Sequence, residues 1–113
     1  MIEAEQRSRR TLLRTGVALV VLAASTAAFA ADTDISIDNF KFAPTPLTVK
    51  PGTIVTWTNR DDIPHSIIIP ALGLRSHPID TNESFSHRFQ QTGRFDYMCG
   101  LHPFMRGTVV IAG

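Results

Sequence analysis

Cys99, His102 and Met105 lie in one short segment, Cys99-Gly100-Leu101-His102-Pro103-Phe104-Met105. The spacing Cys-x-x-His-x-x-Met places a thiolate, an imidazole and a thioether on one loop. His65, in Ile63-Pro64-His65-Ser66, can supply a second imidazole from upstream. One thiolate, two imidazoles and a weak axial thioether form the ligand set of a blue-copper site. The thiolate and imidazoles would make a trigonal plane, with the thioether completing it at long range. Such a plane suits both copper oxidation states, so an electron can arrive or leave with little atomic movement. The expected chemistry is single-electron transfer, with one copper per chain. Zinc fits less well, because structural zinc sites are built from Cys and His and rarely use Met.

Two other functional classes use some of the same residues. A protein that stores or delivers copper needs transient Cu(I) donors, but the chain has no Met-rich or His-rich tract. Copper handling is therefore the second reading. A Cys–His enzyme needs an imidazole beside the thiolate and a third group to orient it. No oxyanion donor set stands out, and Met105 would have no role, so an enzyme is not expected. The plainest alternative is a buried structural Cys99 with His102 and Met105 as ordinary loop residues.

The elements that position these groups follow a leader. Arg7, Arg9, Arg10 and Arg14 make a basic start, an apolar Ala/Val/Leu stretch follows, and Ala28-Phe29-Ala30 is a small-x-small cleavage pattern. Residues 1–30 read as a secretory signal peptide. The apolar stretch is shorter than the ~20 residues of a spanning helix. Ser8-Arg9-Arg10-Thr11-Leu12-Leu13-Arg14 resembles a twin-arginine export motif, and both that route and the ordinary secretory one remain open. Either leads out of the cytoplasm, and the periplasm is the expected compartment. Residues 31–113 then form one domain. It is near neutral, with no basic tract for nucleic acid and no second apolar span for membrane insertion. A single Cys rules out an internal disulfide, and a lone Cys in an oxidising compartment calls for burial or coordination. A monomer is expected.

The domain reads as β throughout. Alternation is visible in Ile35-Ser36-Ile37 and in Thr53-Ile54-Val55-Thr56-Trp57-Thr58. Strand-like runs follow at 67–69, 84–89, 94–99 and 107–112. Turn signals separate them at Pro44, Pro46, Pro51-Gly52, Asn59-Arg60-Asp61-Asp62, Gly93 and Pro103. No helical period appears. Short strands at this spacing predict an all-β Greek-key sandwich or barrel. Val55 and Trp57 should share a core face, as should Phe85, His87 and Phe89. His87 therefore reads as a packed core residue and His77 as a solvated loop residue, neither of them a ligand.

These motifs resemble the cupredoxin family, and within it the amicyanins. The likeness runs from about Thr53 to Val110. It rests on Val55-Thr56-Trp57-Thr58-Asn59-Arg60 before Pro64-His65, on Gly93-Arg94-Phe95-Asp96-Tyr97-Met98-Cys99, and on His102-Pro103-Phe104-Met105-Arg106-Gly107. The two-residue gap between His102 and Met105 is the short-loop form. The resemblance implies His65, Cys99 and His102 as equatorial copper ligands and Met105 as the axial one. It further implies an amine dehydrogenase as electron donor and a c-type cytochrome as acceptor. Three residues depart from the amicyanin pattern. Leu101 replaces a Pro, Met98 a His, and Ser66 an Asn. Outer groups orient metal ligands, so the Ser66 N–H is expected to donate to the Cys99 sulfur. Asn59 has two readings open to it, a bond to the Cys99–His102 loop or an ordinary turn role. Pro64, Leu101, Pro103 and Phe104 should form an apolar rim around an exposed His102 edge.

Overall fold

The computed structural model describes residues 32–113. The leader assigned to residues 1–30 lies outside them. The described chain forms strands β1 (Thr33–Asp38), β2 (Lys41–Ala43), β3 (Leu47–Val49), β4 (Thr53–Asn59) and β5 (Ile68–Ile69). A 3-10 turn at Pro70–Leu72 follows, then β6 (Leu74–Arg75), β7 (Ser84–Phe89), β8 (Gly93–Met98) and β9 (Arg106–Ile111). Among the described residues no helix is long and apolar enough to cross a membrane.

The strands make two sheets, ordered β2-β1-β4-β7 and β3-β9-β8-β5-β6. Each sheet is mixed: β1 runs parallel to β4, and β3 parallel to β9. The expected all-β sandwich is what forms. Its inner faces come from two-residue alternation. In β4, Thr53, Val55, Trp57 and Asn59 point inward and are buried, while the residues between them are partly exposed. On the outer face Thr56 bonds Ser86 at 2.7 Å and Thr58 bonds Ser84 at 2.9 Å across to β7. Trp57 packs edge-on against Tyr97 of the other sheet, with ring centroids 5.3 Å apart. Ile35, Ile37, Phe42, Phe89, Val109 and Ile111 close the same core.

Three strands were not expected: β2, β3 and β6. All three are edge strands of two or three residues. An edge strand pairs on one side only and is commonly kept short or flanked by Pro. Their sequence signal is therefore turn-like, as at Pro44 and Pro46 between β2 and β3. His87 is half-buried beside Phe89 on edge strand β7 rather than sunk in the core, and that burial lowers its pKa. His77 is exposed, as expected, and hydrogen-bonds the Pro78 carbonyl.

The topology brings three segments to one end. The parallel pairing of β1 with β4 aligns Ile37 with Asn59. The turn after β1 and the loop after β4 therefore leave together, and the Arg60 N–H bonds the Ile37 carbonyl at 2.7 Å. The β8–β9 hairpin closes at the Met98–Arg106 pair and leaves residues 99–105 as its loop.

Candidate metal centre

Cys99 follows β8 directly and is fully buried. Its N–H bonds the Met105 carbonyl at 3.1 Å, and the Met105 N–H bonds the His102 carbonyl at 2.9 Å. These two bonds fold residues 99–105 into a compact loop. His65 comes from the other sheet's connection. It is held by two backbone bonds to Ile79, at 3.1 and 2.7 Å, and is also fully buried. Met105 is buried at the base of β9, and His102 is only partly buried. The imidazole that reaches the surface is therefore the one on the loop.

The donor atoms converge. Cys99 Sγ lies 3.6 Å from His65 Nδ1 and 3.7 Å from His102 Nδ1. All three lie within 4.8 Å of one another. A trigonal ion with bonds of about 2.0 Å to nitrogen and 2.3 Å to sulfur holds sulfur and nitrogen roughly 3.7 Å apart. The two Sγ–Nδ1 separations fit one small ion shared by these donors.

The ligand-bearing segments are tied at two points. The Ser66 N–H points at Cys99 Sγ from 3.4 Å, as expected from the sequence. The Ser66 hydroxyl accepts the Gly100 N–H at 3.0 Å. Gly100 is required there, because a Cβ would lie 2.7 Å from the Ser66 oxygen. Of the two roles open to Asn59, the bond to the Cys99–His102 loop is not made. Its buried side chain bridges its own loop and the β6–β7 connection, donating to the carbonyls of Ile63 and Ile79 and accepting the Asp61 N–H. Asn59 shapes the path to His65, and Ser66 makes the tie.

Sequence reasoning missed two residues at the site. Asp61 had read as part of a polar turn. Its carboxylate meets His65 Nε2 at 2.8 Å. Partial burial pushes the Asp61 carboxyl up. The N–H groups of Phe40 and Asn39 and the His65 imidazole outweigh this and hold it below the usual value. An ionised carboxylate only accepts hydrogen bonds. Nε2 therefore carries the ring proton, and Nδ1 turns its lone pair toward Cys99. Phe40, from the turn after β1, stands edge-on to His65 and His102, with centroids 5.5 and 5.3 Å apart. It also stacks on Phe104 at 6.4 Å. Phe40 carries no motif, and only the β1–β4 pairing brings it here. The rim is apolar, as expected: Leu101 is 52% exposed and Phe104 71%, with Phe40 adding to it at 39%.

A cupredoxin-like domain model matches residues 12–111. The chain is a cupredoxin. It is 32% identical over 87 residues to amicyanin-alpha of Methylorubrum extorquens, covering 73% of each chain. It is 36% identical over 82 residues to the amicyanin of Paracoccus denitrificans, covering 68% of this chain and 63% of that one. The chloroplastic plastocyanin of Tetradesmus obliquus is 30% identical over 114 residues, covering 89% of this chain and 79% of that one. Among solved structures, a Cu(I) form of an amicyanin variant superposes with a TM-score of 0.69 at 34% identity, covering 72% of this chain and 82% of that one. This cupredoxin therefore groups with the amicyanins in both sequence and fold.

Proposed function

We propose that the protein is a type 1 blue-copper electron carrier, held in the periplasm and serving two redox partners in turn. The observation that carries this reading is the cluster of His65 Nδ1, Cys99 Sγ and His102 Nδ1, whose two sulfur–nitrogen separations match a shared small ion. Cys99, His65 and His102 would hold copper, with Met105 as a weaker fourth donor. Copper held there supplies the one-electron Cu(II)/Cu(I) couple.

The chain's own residues set how that couple works. The Ser66 N–H stabilises charge on the Cys99 sulfur. Burial of Cys99, His65 and Met105 excludes water and keeps the thiolate from oxidation. Backbone bonds to Ile79 and within residues 99–105 hold the segments that carry the donors. A firmly held site has little to rearrange when its charge changes. The partly exposed His102 inside the apolar rim is the shortest way in for an electron. Apolar docking patches suit the small, brief interfaces of redox encounters. By likeness to the amicyanins, the donor is an amine dehydrogenase and the acceptor a c-type cytochrome. Neither role makes the protein an enzyme.

The test is the visible spectrum of the purified protein with Cu(II). One equivalent should produce an intense thiolate-to-copper band that a reductant bleaches. Cys99→Ser should abolish the band while the β-fold survives by circular dichroism. Copper uptake without colour would reject electron transfer in favour of copper handling.

A further inference from the structure

The turn between β1 and β2 holds a conformation that its sequence resists. Asp38 pairs with Lys41, so Asn39 and Phe40 are the two loop residues. Both have positive φ, 55° and 59°. Two consecutive left-handed residues make a type I′ hairpin turn, which favours Asn-Gly. Asn39 suits its place. A bulky side chain at positive φ, as at Phe40, is an outlier. Strained backbone of this kind persists where its surroundings impose it, often at functional sites. Here Asp61 imposes it. The Asn39 N–H bonds Asp61 Oδ1 at 2.6 Å, and the Phe40 N–H bonds Oδ2 at 3.0 Å. The same Oδ2 accepts His65 Nε2–H.

We propose that Asp61 is a positioning residue for both imidazoles of the metal centre. It orients His65 directly, and by gripping the Asn39–Phe40 turn it holds the Phe40 ring against His102. His65 is already enclosed by protein on every side. His102 sits on a loop and is partly exposed. The Phe40 ring, edge-on at 5.3 Å, supplies a second and closer wall beside Phe104 of the loop itself, which stands edge-on to His102 at 6.1 Å. The Asp61 charge would also make His65 a stronger donor and so favour Cu(II). This last point rests on the blue-copper reading, while the positioning does not.

Two variants separate the arms. Asp61→Asn keeps an acceptor oxygen but loses the charge. Phe40→Gly keeps the turn, since glycine takes positive φ freely, and removes only the ring. In the metal-free protein, nitrogen-15 NMR should show a slowly exchanging His65 Nε2–H. Asp61→Asn should speed exchange of that proton and of the Asn39 and Phe40 amides by about tenfold or more. Phe40→Gly should broaden the His102 ring signals and leave the His65 proton protected. With copper, Asp61→Asn should weaken Cu(II) binding about 10- to 100-fold, the range for outer groups of metal sites. A tenfold loss confined to Cu(II) raises the potential by about 59 mV. Unchanged exchange in Asp61→Asn overturns the proposal, as does a His102 ring equally ordered in Phe40→Gly and wild type. A colourless copper-loaded wild type overturns the functional reading instead, and the metal-free exchange still decides the role of Asp61.

Discussion

At the scale of single residues, two donors of the proposed centre, Cys99 and His65, have hydrogen-bond partners of their own. The Ser66 N–H acts on the Cys99 sulfur, and Asp61 acts on the far nitrogen of His65. Met105, proposed as the weak fourth donor, is buried at the end of the 99–105 loop, and a donor of that kind tunes potential more than it holds metal. Met105→Gln should keep copper and lower the potential, because an amide oxygen favours Cu(II) over Cu(I). Voltammetry of the two proteins checks this. An unchanged potential would place Met105 out of reach of the metal. The residues with distinctive chemistry were legible in the sequence, since thiolate, imidazole and thioether announce themselves by type and spacing. Asp61 was not, because a carboxylate in a polar turn is common and its partners are named only by folding. Asn59 stayed open between two roles for the same reason. Folding commits its amide to the carbonyls of Ile63 and Ile79 rather than to the loop that carries Cys99.

At the scale of elements, the β8–β9 hairpin serves two faces of the function. Its loop presents Leu101 and Phe104 to solvent around His102. Leu101→Lys or Phe104→Glu should slow electron transfer to the native partner, each costing about 1 kcal/mol or more of encounter free energy. The visible band should barely change. Rates that respond only to charges away from the rim would move the docking surface elsewhere. The strands of the hairpin are matched across the ladder. Gly107 pairs with Tyr97, and a Cβ at Gly107 would lie 2.3 Å from the Tyr97 ring. Gly107→Ala forces the ring or the strand aside, and overpacking of this kind costs about 1–3 kcal/mol. Denaturant titration of the metal-free protein should show the loss. The central strands were legible because two-residue alternation marks them. The edge strands β2, β3 and β6 were not, since pairing on one side asks little of their sequence.

At the scale of the molecule, the two sheets meet around Trp57 and Tyr97. Both rings are buried, and among the described residues the indole N–H and phenol hydroxyl have no partner in hydrogen-bonding geometry. Burial pushes the Tyr97 hydroxyl up to about 12 from its ordinary 10.0, against weaker opposing effects of Trp57 and Thr45. The sign of the linkage follows. The unfolded chain ionises Tyr97 above pH 10.0 while the folded chain holds it neutral, so unfolding becomes easier as pH rises toward about 12. Tyr97→Phe should flatten this alkaline loss and cost little at neutral pH, because no hydrogen bond is broken. Urea titrations of both proteins across alkaline pH would show it. An identical pH profile in the two would mean that Tyr97 already ionises in the folded state.

The sequence by itself determined the β class, the inward face of β4 and the three residues of the candidate metal centre, His65, Cys99 and His102. These properties are local: alternation writes a strand, and donor chemistry belongs to the side chain. Tertiary structure decided what surrounds the donors. The parallel pairing of β1 with β4 carries Asn39 and Phe40 to the site from a hairpin without a motif. It also lets one carboxylate at Asp61 hold a turn and an imidazole together. Contacts between segments distant in the chain depend on sheet order and register, and no single segment's composition encodes them.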